Sequence, residues 1–231
     1  MSVFPTVLLF DIDGTLITTA GAGRLALDRA LEVATGRAGL IVHTNLAGAT
    51  DRGAIRAALR NGNLDADDAA VDAVLAVYLP CLVAALADVE SRVHPGVTAV
   101  LETVCSVPGV AVGLGTGNIV LGARAKLEPF GLWDRFEFGG FGDDGELRAD
   151  LIRCGAERGA AQLGLSRSDT RVVIIGDSTR DVEAANAIGA ECLGVGTSGS
   201  DLVDLYVTGA KLAVDNLAHP DVLGFLLGRA S

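Results

Sequence analysis

Val7-Leu8-Leu9-Phe10-Asp11-Ile12-Asp13-Gly14-Thr15-Leu16 decides how this chain is to be read, because an apolar run ends abruptly in two carboxylates and a glycine. The run has the length and unbroken apolarity of a strand buried on both faces of a parallel sheet. In open α/β sheets ligands gather at the carboxyl ends of such strands, which is where Asp11 and Asp13 fall. Two ionised carboxylates left unpaired there would repel each other, so the placement predicts a cation between them or a proton on one of them. A hard divalent ion with oxygen ligands, such as Mg²⁺, meets that need. Taken alone, Asp-Gly-Thr is equally explained as a turn with a helix cap.

Two further apolar runs end in polar residues. Val110–Gly115 leads into Thr116-Gly117-Asn118, where a hydroxyl and a glycine amide at the start of a helix suit an anion, and where a plain helix cap accounts for the same residues. Arg171–Gly176 leads into Asp177-Ser178-Thr179-Arg180-Asp181. Ser178 and Asp181 have capping-box spacing, but capping does not explain why Asp177 stands at the strand end as Asp11 does. Cys192–Val195 reads as another strand, followed by the loop Gly196-Thr197-Ser198-Gly199. Ala210–Val214 reads as an edge strand before a helix from His219 to Leu227.

Between the first strand and Val97 the pattern is helical. Apolar spacing predicts helices over Arg24–Thr35, Arg52–Arg60 and Asp67–Val89, the last opened by Asp65 and bent or split at Pro80, with no clear strand from Thr18 to Arg92. Thr50 or Asp51 caps the second of these helices. His94-Pro95-Gly96-Val97 is the return connection, and helices over Val97–Val104, Ile119–Phe130 and Arg148–Leu163 alternate with the later strands. This order predicts an α/β fold, a doubly wound parallel sheet built from residues 1–17 and 93–231, with an α-helical insert over 18–92.

A chain of 231 residues, 50% apolar, can bury a sizeable core. Its formal charge of -11 argues against a nucleic-acid partner, since phosphate backbones are bound by clustered Lys and Arg. The apolar stretches read as too short to span a membrane. Met1-Ser2-Val3-Phe4-Pro5 lacks the basic and apolar regions of a leader, which makes a cytoplasmic location the expectation. Cys81, Cys105, Cys154 and Cys192 stand far apart and read as core thiols. Trp133 and Phe136 read as packing residues, and His43, His94 and His219 lack partners at ligand or triad spacing.

The strand followed by Asp11-Ile12-Asp13-Gly14-Thr15-Leu16, together with Gly176-Asp177-Ser178-x-x-Asp181, resembles the first and fourth motifs of the haloacid dehalogenase-like (HAD) superfamily, and Thr116 resembles the second. The resemblance implies Asp11 as nucleophile and Asp13 as general acid/base, with Thr116, Gly117 and Asn118 at the phosphoryl oxygens. It implies Mg²⁺ held by Asp11, the Asp13 main-chain carbonyl and Asp177, with Asp181 holding a metal-bound water or orienting the site. Phosphoglycolate-phosphatase-like members usually carry Lys-Pro in the third motif, and no Lys-Pro occurs here. Arg148 stands at the expected place and Lys126 is the competing cation.

The insert resembles an α-helical cap, with Gly48, Thr50, Asp51 and Arg52 facing the leaving group. The implied activity is a Mg²⁺-dependent phosphomonoesterase acting on a small phosphorylated metabolite, in a monomer or homodimer. The alternatives are a phosphomutase of the β-phosphoglucomutase kind and a noncatalytic protein on the same fold. The dehalogenase branch lacks the second Asp present here as Asp13. A phosphonatase needs a cap lysine, and no Lys occurs between Thr18 and Arg92.

Overall fold

A computed structural model describes residues 4–228. Residues 1–3, part of the segment read above as lacking a leader, and 229–231, placed above in the α/β core, lie outside the described residues. In chain order the strands are β1 (Thr6–Phe10), β2 (Ile17–Thr18), β3 (Arg92–Val93), β4 (Val110–Gly115), β5 (Gly139–Gly140), β6 (Arg171–Gly176), β7 (Glu191–Val195) and β8 (Leu212–Val214). The helices are α1 (Ala22–Thr35), α2 (Asp51–Asn61), α3 (Asp68–Ala87), α4 (Val97–Val104), α5 (Val120–Leu127), α6 (Arg148–Gln162), α7 (Thr179–Ala187), α8 (Leu202–Thr208) and α9 (Asp221–Leu226).

Six strands form one sheet in the order β5-β4-β1-β6-β7-β8, and every pairing in it is parallel. The apolar run chosen from the sequence is β1, buried along its whole length and lying between β4 and β6. Its side chains alternate between the two faces. Leu8 and Phe10 join Val112, Leu114, Val173 and Ile175 against α4, α5 and α9. Val7 and Leu9 join Ala111, Val172 and Ile174 against α6 and α7. Burial on both sides is why this strand reads as a continuous apolar stretch.

Register sets the site. Phe10 lies opposite Leu114 and Ile175, so all three strands run out together and the chain passes at one level into Asp11, Thr116 and Asp177. From β1 the chain moves outward to β4 and β5, then returns to the other side of β1 as β6. That reversal is the switch point where open α/β sheets form a crevice.

The helical insert has a core of its own, in which Ala26, Leu27 and Leu31 of α1 meet Ile55 and Leu59 of α2 and Val74, Tyr78 and Leu82 of α3. Several local readings are corrected. The stretch from Thr18 to Arg92 was expected to hold no strand, yet Ile17–Thr18 and Arg92–Val93 pair antiparallel where the chain leaves and re-enters the sheet domain. Two residues a side are too few to show period-two alternation. α3 is capped by Asp67 rather than Asp65, and it runs unbroken through Pro80. Pro80 and Ala76 both face solvent, so the carbonyl left without its amide partner can be met by water.

Reading Pro80 as a break also hid the length of this helix. α3 has 20 residues and a mean hydropathy of 2.2 over its most apolar window, long and apolar enough by length and composition to cross a membrane. Here it packs along α1 through Val71, Val74, Tyr78, Leu82 and Ala85. The predicted Ile119–Phe130 helix ends as α at Leu127 and tightens to a 3-10 turn over Glu128–Phe130. β5 and α8 have no counterpart in the reading above. β5 is two glycines with no side-chain pattern, and α8 is only two turns long.

Phe10 is fully buried, with its ring centroid 6.2 Å from that of Phe136. Phe10→Ala is expected to cost about 3–5 kcal/mol in urea unfolding through lost transfer energy and the cavity left behind; a loss under about 1 kcal/mol would show that the core closes around the gap.

Candidate active site

Asp11, Asp13, Thr116 and Asp177 reach one crevice because three neighbouring strands end there, and Arg148 joins them from the first turn of α6. Asp11, Asp177 and Asp181 each place a carboxylate oxygen within 4.8 Å of the other two. Arg148 is buried among them. Its Nη2 lies 3.0 Å from Asp11 Oδ1 and 2.5 Å from Asp181 Oδ1, and its Nε donates to Asp181 Oδ1 at 2.8 Å. The other oxygen of Asp181 accepts from the Ser178 hydroxyl at 2.7 Å and the Ser178 amide at 3.1 Å. Both oxygens of Asp181 are thus engaged, which suits it to orienting Arg148 more than to holding an ion directly. Gly14 makes the approach of Asp177 possible: it has φ +80, and a Cβ there would stand 2.4 Å from Asp177 Oδ2.

Asp13 has different company. Its Oδ2 accepts from Lys126 Nζ at 2.6 Å and from Asn118 Nδ2 at 2.8 Å. Asn118 also donates to Thr116 Oγ1 at 2.8 Å, and its Oδ1 accepts from Lys126 at 2.6 Å. The Asn118 side chain, expected beside a phosphoryl group, is therefore spent on fastening Asp13, Lys126 and Thr116 together. The two competing cations of the sequence reading do not compete. Arg148 serves Asp11, and Lys126 serves Asp13.

The two carboxylates respond oppositely. Burial pushes Asp11 up to about 6 against the pull of Arg148, with Asp181 and Asp13 adding to the rise. Enclosure also works against the charge of Asp13, but the Lys126 ammonium and the Asn118 amide outweigh it and hold the group below its ordinary value. Burial, then Asp181 and Asp11, push Asp177 to about 8. Carboxylates this close, two of them reluctant to ionise, form a set of oxygen donors short of positive charge. They fit a hard divalent cation such as Mg²⁺.

The helical cap closes the crevice into a cavity of about 630 Å³. Its α2 docks on the sheet domain through Asp51, whose amide donates to Gly117 O at 2.8 Å and whose Oδ2 accepts from the Ile119 amide at 2.9 Å. A Cβ at Gly117 would meet Ala49 O at 2.2 Å, so only glycine lets the cap loop come this near. Gly48, Thr50 and Asp51 line the cavity, while Arg52, grouped with them in the sequence reading, pairs with Asp72 and Asp68 on the cap surface.

The sequence reading gave no role to Tyr78 or His94, which also line the cavity. Tyr78 lies 3.5 Å from Asp51 Oδ1, and the buried His94 Nε2 has no hydrogen-bond partner. Helical spacing could have placed Tyr78 on the inner face of α3, but nothing in the sequence marks that face as a cavity wall. The four cysteines are free.

The profile of the haloacid dehalogenase-like hydrolases matches residues 8–186, and a HAD-hydrolase-like profile matches residues 154–219. The chain belongs to the haloacid dehalogenase-like hydrolase family. No curated protein matches it. Among solved structures it is similar to a hydrolase from Pseudomonas syringae (21% identity, TM-score 0.73, covering 98% of this chain and 100% of that one). It is also similar to a predicted phosphoglycolate phosphatase from Haemophilus somnus (18%, 0.67, 97% and 99%). A third is a provisionally assigned beta-phosphoglucomutase from Thermotoga maritima (23%, 0.61, 98% of each chain). At these identities the likeness concerns the fold.

Asp177 binds its proton more tightly when folded, about 8 against an ordinary 3.8, and Asp11 does likewise at about 6. Their stabilisation is complete below the unfolded value and is lost as pH rises through the folded ones. The metal-free protein is therefore expected to lose melting temperature between about pH 4 and pH 8, with Asp177→Asn flattening the slope. Mg²⁺ added at pH 7 should release protons in a weakly buffered calorimetric titration. A slope unchanged by the substitution would remove Asp177 as its source.

Proposed function

We propose that the chain is a Mg²⁺-dependent phosphomonoesterase that hydrolyses a small phosphorylated metabolite through an aspartyl-phosphate on Asp11. The observation that carries this reading is the opposite treatment of two carboxylates two residues apart: Asp11 is set among acids beside Arg148, and Asp13 is clamped by Lys126 and Asn118. Such a divergence of environment is how enzymes assign separate roles to neighbouring acids. Asp11, Asp177 and the Asp13 main-chain carbonyl would hold the Mg²⁺, which when bound offsets the charge of the nucleophile and the phosphoryl group.

In the first half-reaction Asp11 forms a bond to phosphorus as the bond to the leaving oxygen breaks, and that oxygen takes a proton from Asp13. In the second, water attacks phosphorus, Asp13 receives a proton from it, and the bond to Asp11 breaks to give inorganic phosphate. Arg148 aims Asp11 and offers positive charge beside the transferring group. Thr116 Oγ1 already accepts from the Asn118 side chain and lies 3.3 Å from its amide, which leaves the hydroxyl proton free for a phosphoryl oxygen. Lys126 and Asn118 favour the ionised form of Asp13, the form that acts as base towards water; the proton it receives in the second half-reaction is the one it gives to the leaving oxygen in the next turnover, and in the first turnover it is taken from solvent. A cavity of about 630 Å³ suits a small metabolite.

Asp11→Asn is expected to lower kcat for p-nitrophenyl phosphate at least about a thousandfold, with circular dichroism and melting temperature close to those of the parent. Turnover within a factor of a few would eliminate Asp11 as nucleophile. Lys126→Met is expected to slow hydrolysis of an alkyl phosphate about tenfold more than that of p-nitrophenyl phosphate, because nitrophenolate leaves without help from an acid. Equal losses on both would mean that Lys126 does not support proton transfer.

A further inference from the structure

Glu146 and Leu147 lead into the first turn of α6, the turn that carries Arg148. That turn has no side-chain cap of its own, because Leu147 stands in the capping position and has no acceptor to offer. Asp144, two residues ahead of Glu146, is tied to the sheet domain through the Phe141 amide and Arg158. Among the described residues, the hydrogen bonds that hold Glu146 all come from the cap instead. Thr50, at the head of α2, donates its hydroxyl to the Glu146 carbonyl at 3.0 Å. Arg56, further along α2, grips the carboxylate with two nitrogens: Nε lies 2.8 Å from Oε1 and 2.9 Å from Oε2, and Nη2 lies 2.5 Å from Oε1.

Arg56 is itself anchored within the cap, by Asp68 Oδ1 at 2.5 Å and by the Ala66 carbonyl. The cap therefore reaches Arg148 from two directions. The Gly48 carbonyl accepts from Arg148 Nη1 at 3.4 Å, while Thr50 and Arg56 hold the main chain and side chain of the residue two positions before it. The side chains of Arg56 and Glu146 are 13% and 33% exposed, so their pairing adds little to folding stability. Its planar, two-point geometry nevertheless fixes a direction, which a single-point contact would not. Neither residue lines the cavity of the site, so neither can act by touching substrate.

We propose that the Arg56–Glu146 pair is a positioning contact: by fixing the approach to α6 while the cap is docked, it sets the Arg148 guanidinium against Asp11. The kinetic consequence rests on the phosphatase reading, to which the proposal adds a route by which the cap acts on a cation of the sheet domain.

The test reads kcat/KM for p-nitrophenyl phosphate, which covers the steps up to transfer to Asp11 and is blind to product release. The parent is compared with Glu146→Gln, Arg56→Gln and the double substitution, and Glu146→Gln is repeated in an Arg148→Lys background. Each single substitution is expected to lower kcat/KM about tenfold, and the double no further than either single. The loss should vanish once Arg148 is replaced, because no planar fork is then left to aim. Asp68→Asn, which leaves Glu146 its partner, should retain parental turnover. Hydrogen exchange over residues 147–152 supplies a readout independent of turnover, and it should quicken in Arg56→Gln although that substitution lies in the cap. A lowered melting temperature with kcat/KM within a factor of two of the parent would make the pair merely structural and overturn the proposal. An equal loss in the Arg148→Lys background would overturn it as well. No hydrolysis by the parent overturns the phosphatase reading; exchange then decides the coupling alone, which stands if both single substitutions quicken it and falls if neither does.

Discussion

Four buried carboxylates, Asp11, Asp51, Asp177 and Asp181, with Asp13 opening onto the cavity beside them, crowd the ends of three strands in an acidic chain. Desolvated like charges at such spacing cost several kcal/mol unless cations meet them or protons remain on them. The arrangement of the site follows from how that cost is met. Arg148 bridges Asp11 and Asp181 with its planar fork, a geometry that a point-charge ammonium could not reproduce. Lys126, reaching in from α5, answers Asp13. Asp177 receives less, and its carboxyl keeps its proton to about pH 8. The deficit that remains is the electrostatic reason a divalent ion belongs there.

Placement of these groups is a property of the sheet before it is a property of the side chains. β1 lies between β4 and β6 with the three carboxyl ends in register, so residues far apart in sequence arrive at one level without any long loop to position them. Close approach then depends on absent side chains. Gly14 admits Asp177, and Gly117 admits the backbone of the cap loop. Asp51 completes the junction by supplying from the cap an acceptor for the amide of Ile119, just ahead of the core helix α5 that carries Lys126. Cap and site are thereby joined through hydrogen bonds.

The strands that carry chemistry were readable because burial on both faces gives unmistakable apolar runs, and because carboxylates at the ends of such runs violate what a folded core would otherwise choose. The helices of the insert were readable from their spacing. What the sequence concealed was pairing. Nothing in it says that Arg148 and Lys126 attend different aspartates, or that Asn118 turns from the phosphoryl position to bind both Asp13 and Lys126, since those contacts depend on side-chain directions set by tertiary packing. β5, two glycines at the sheet edge, and the β2–β3 pair were hidden for lack of length. Pro80 misled through an interior-helix rule that applies less severely at a solvent-facing position.

The β2–β3 pair has a mechanical consequence. Ile17 lies opposite Val93 and Thr18 opposite Arg92, so both covalent threads between the two bodies run side by side and are laced to each other. Two anchors that nearly coincide resemble a single narrow hinge leaf, so the remaining attachment of the cap falls to contacts at its far side, where Asp51 bonds the Gly117 carbonyl and the Ile119 amide. The cap is thus held both by this lacing a few residues downstream of Asp13 and by the hydrogen bonds of Asp51 across the crevice.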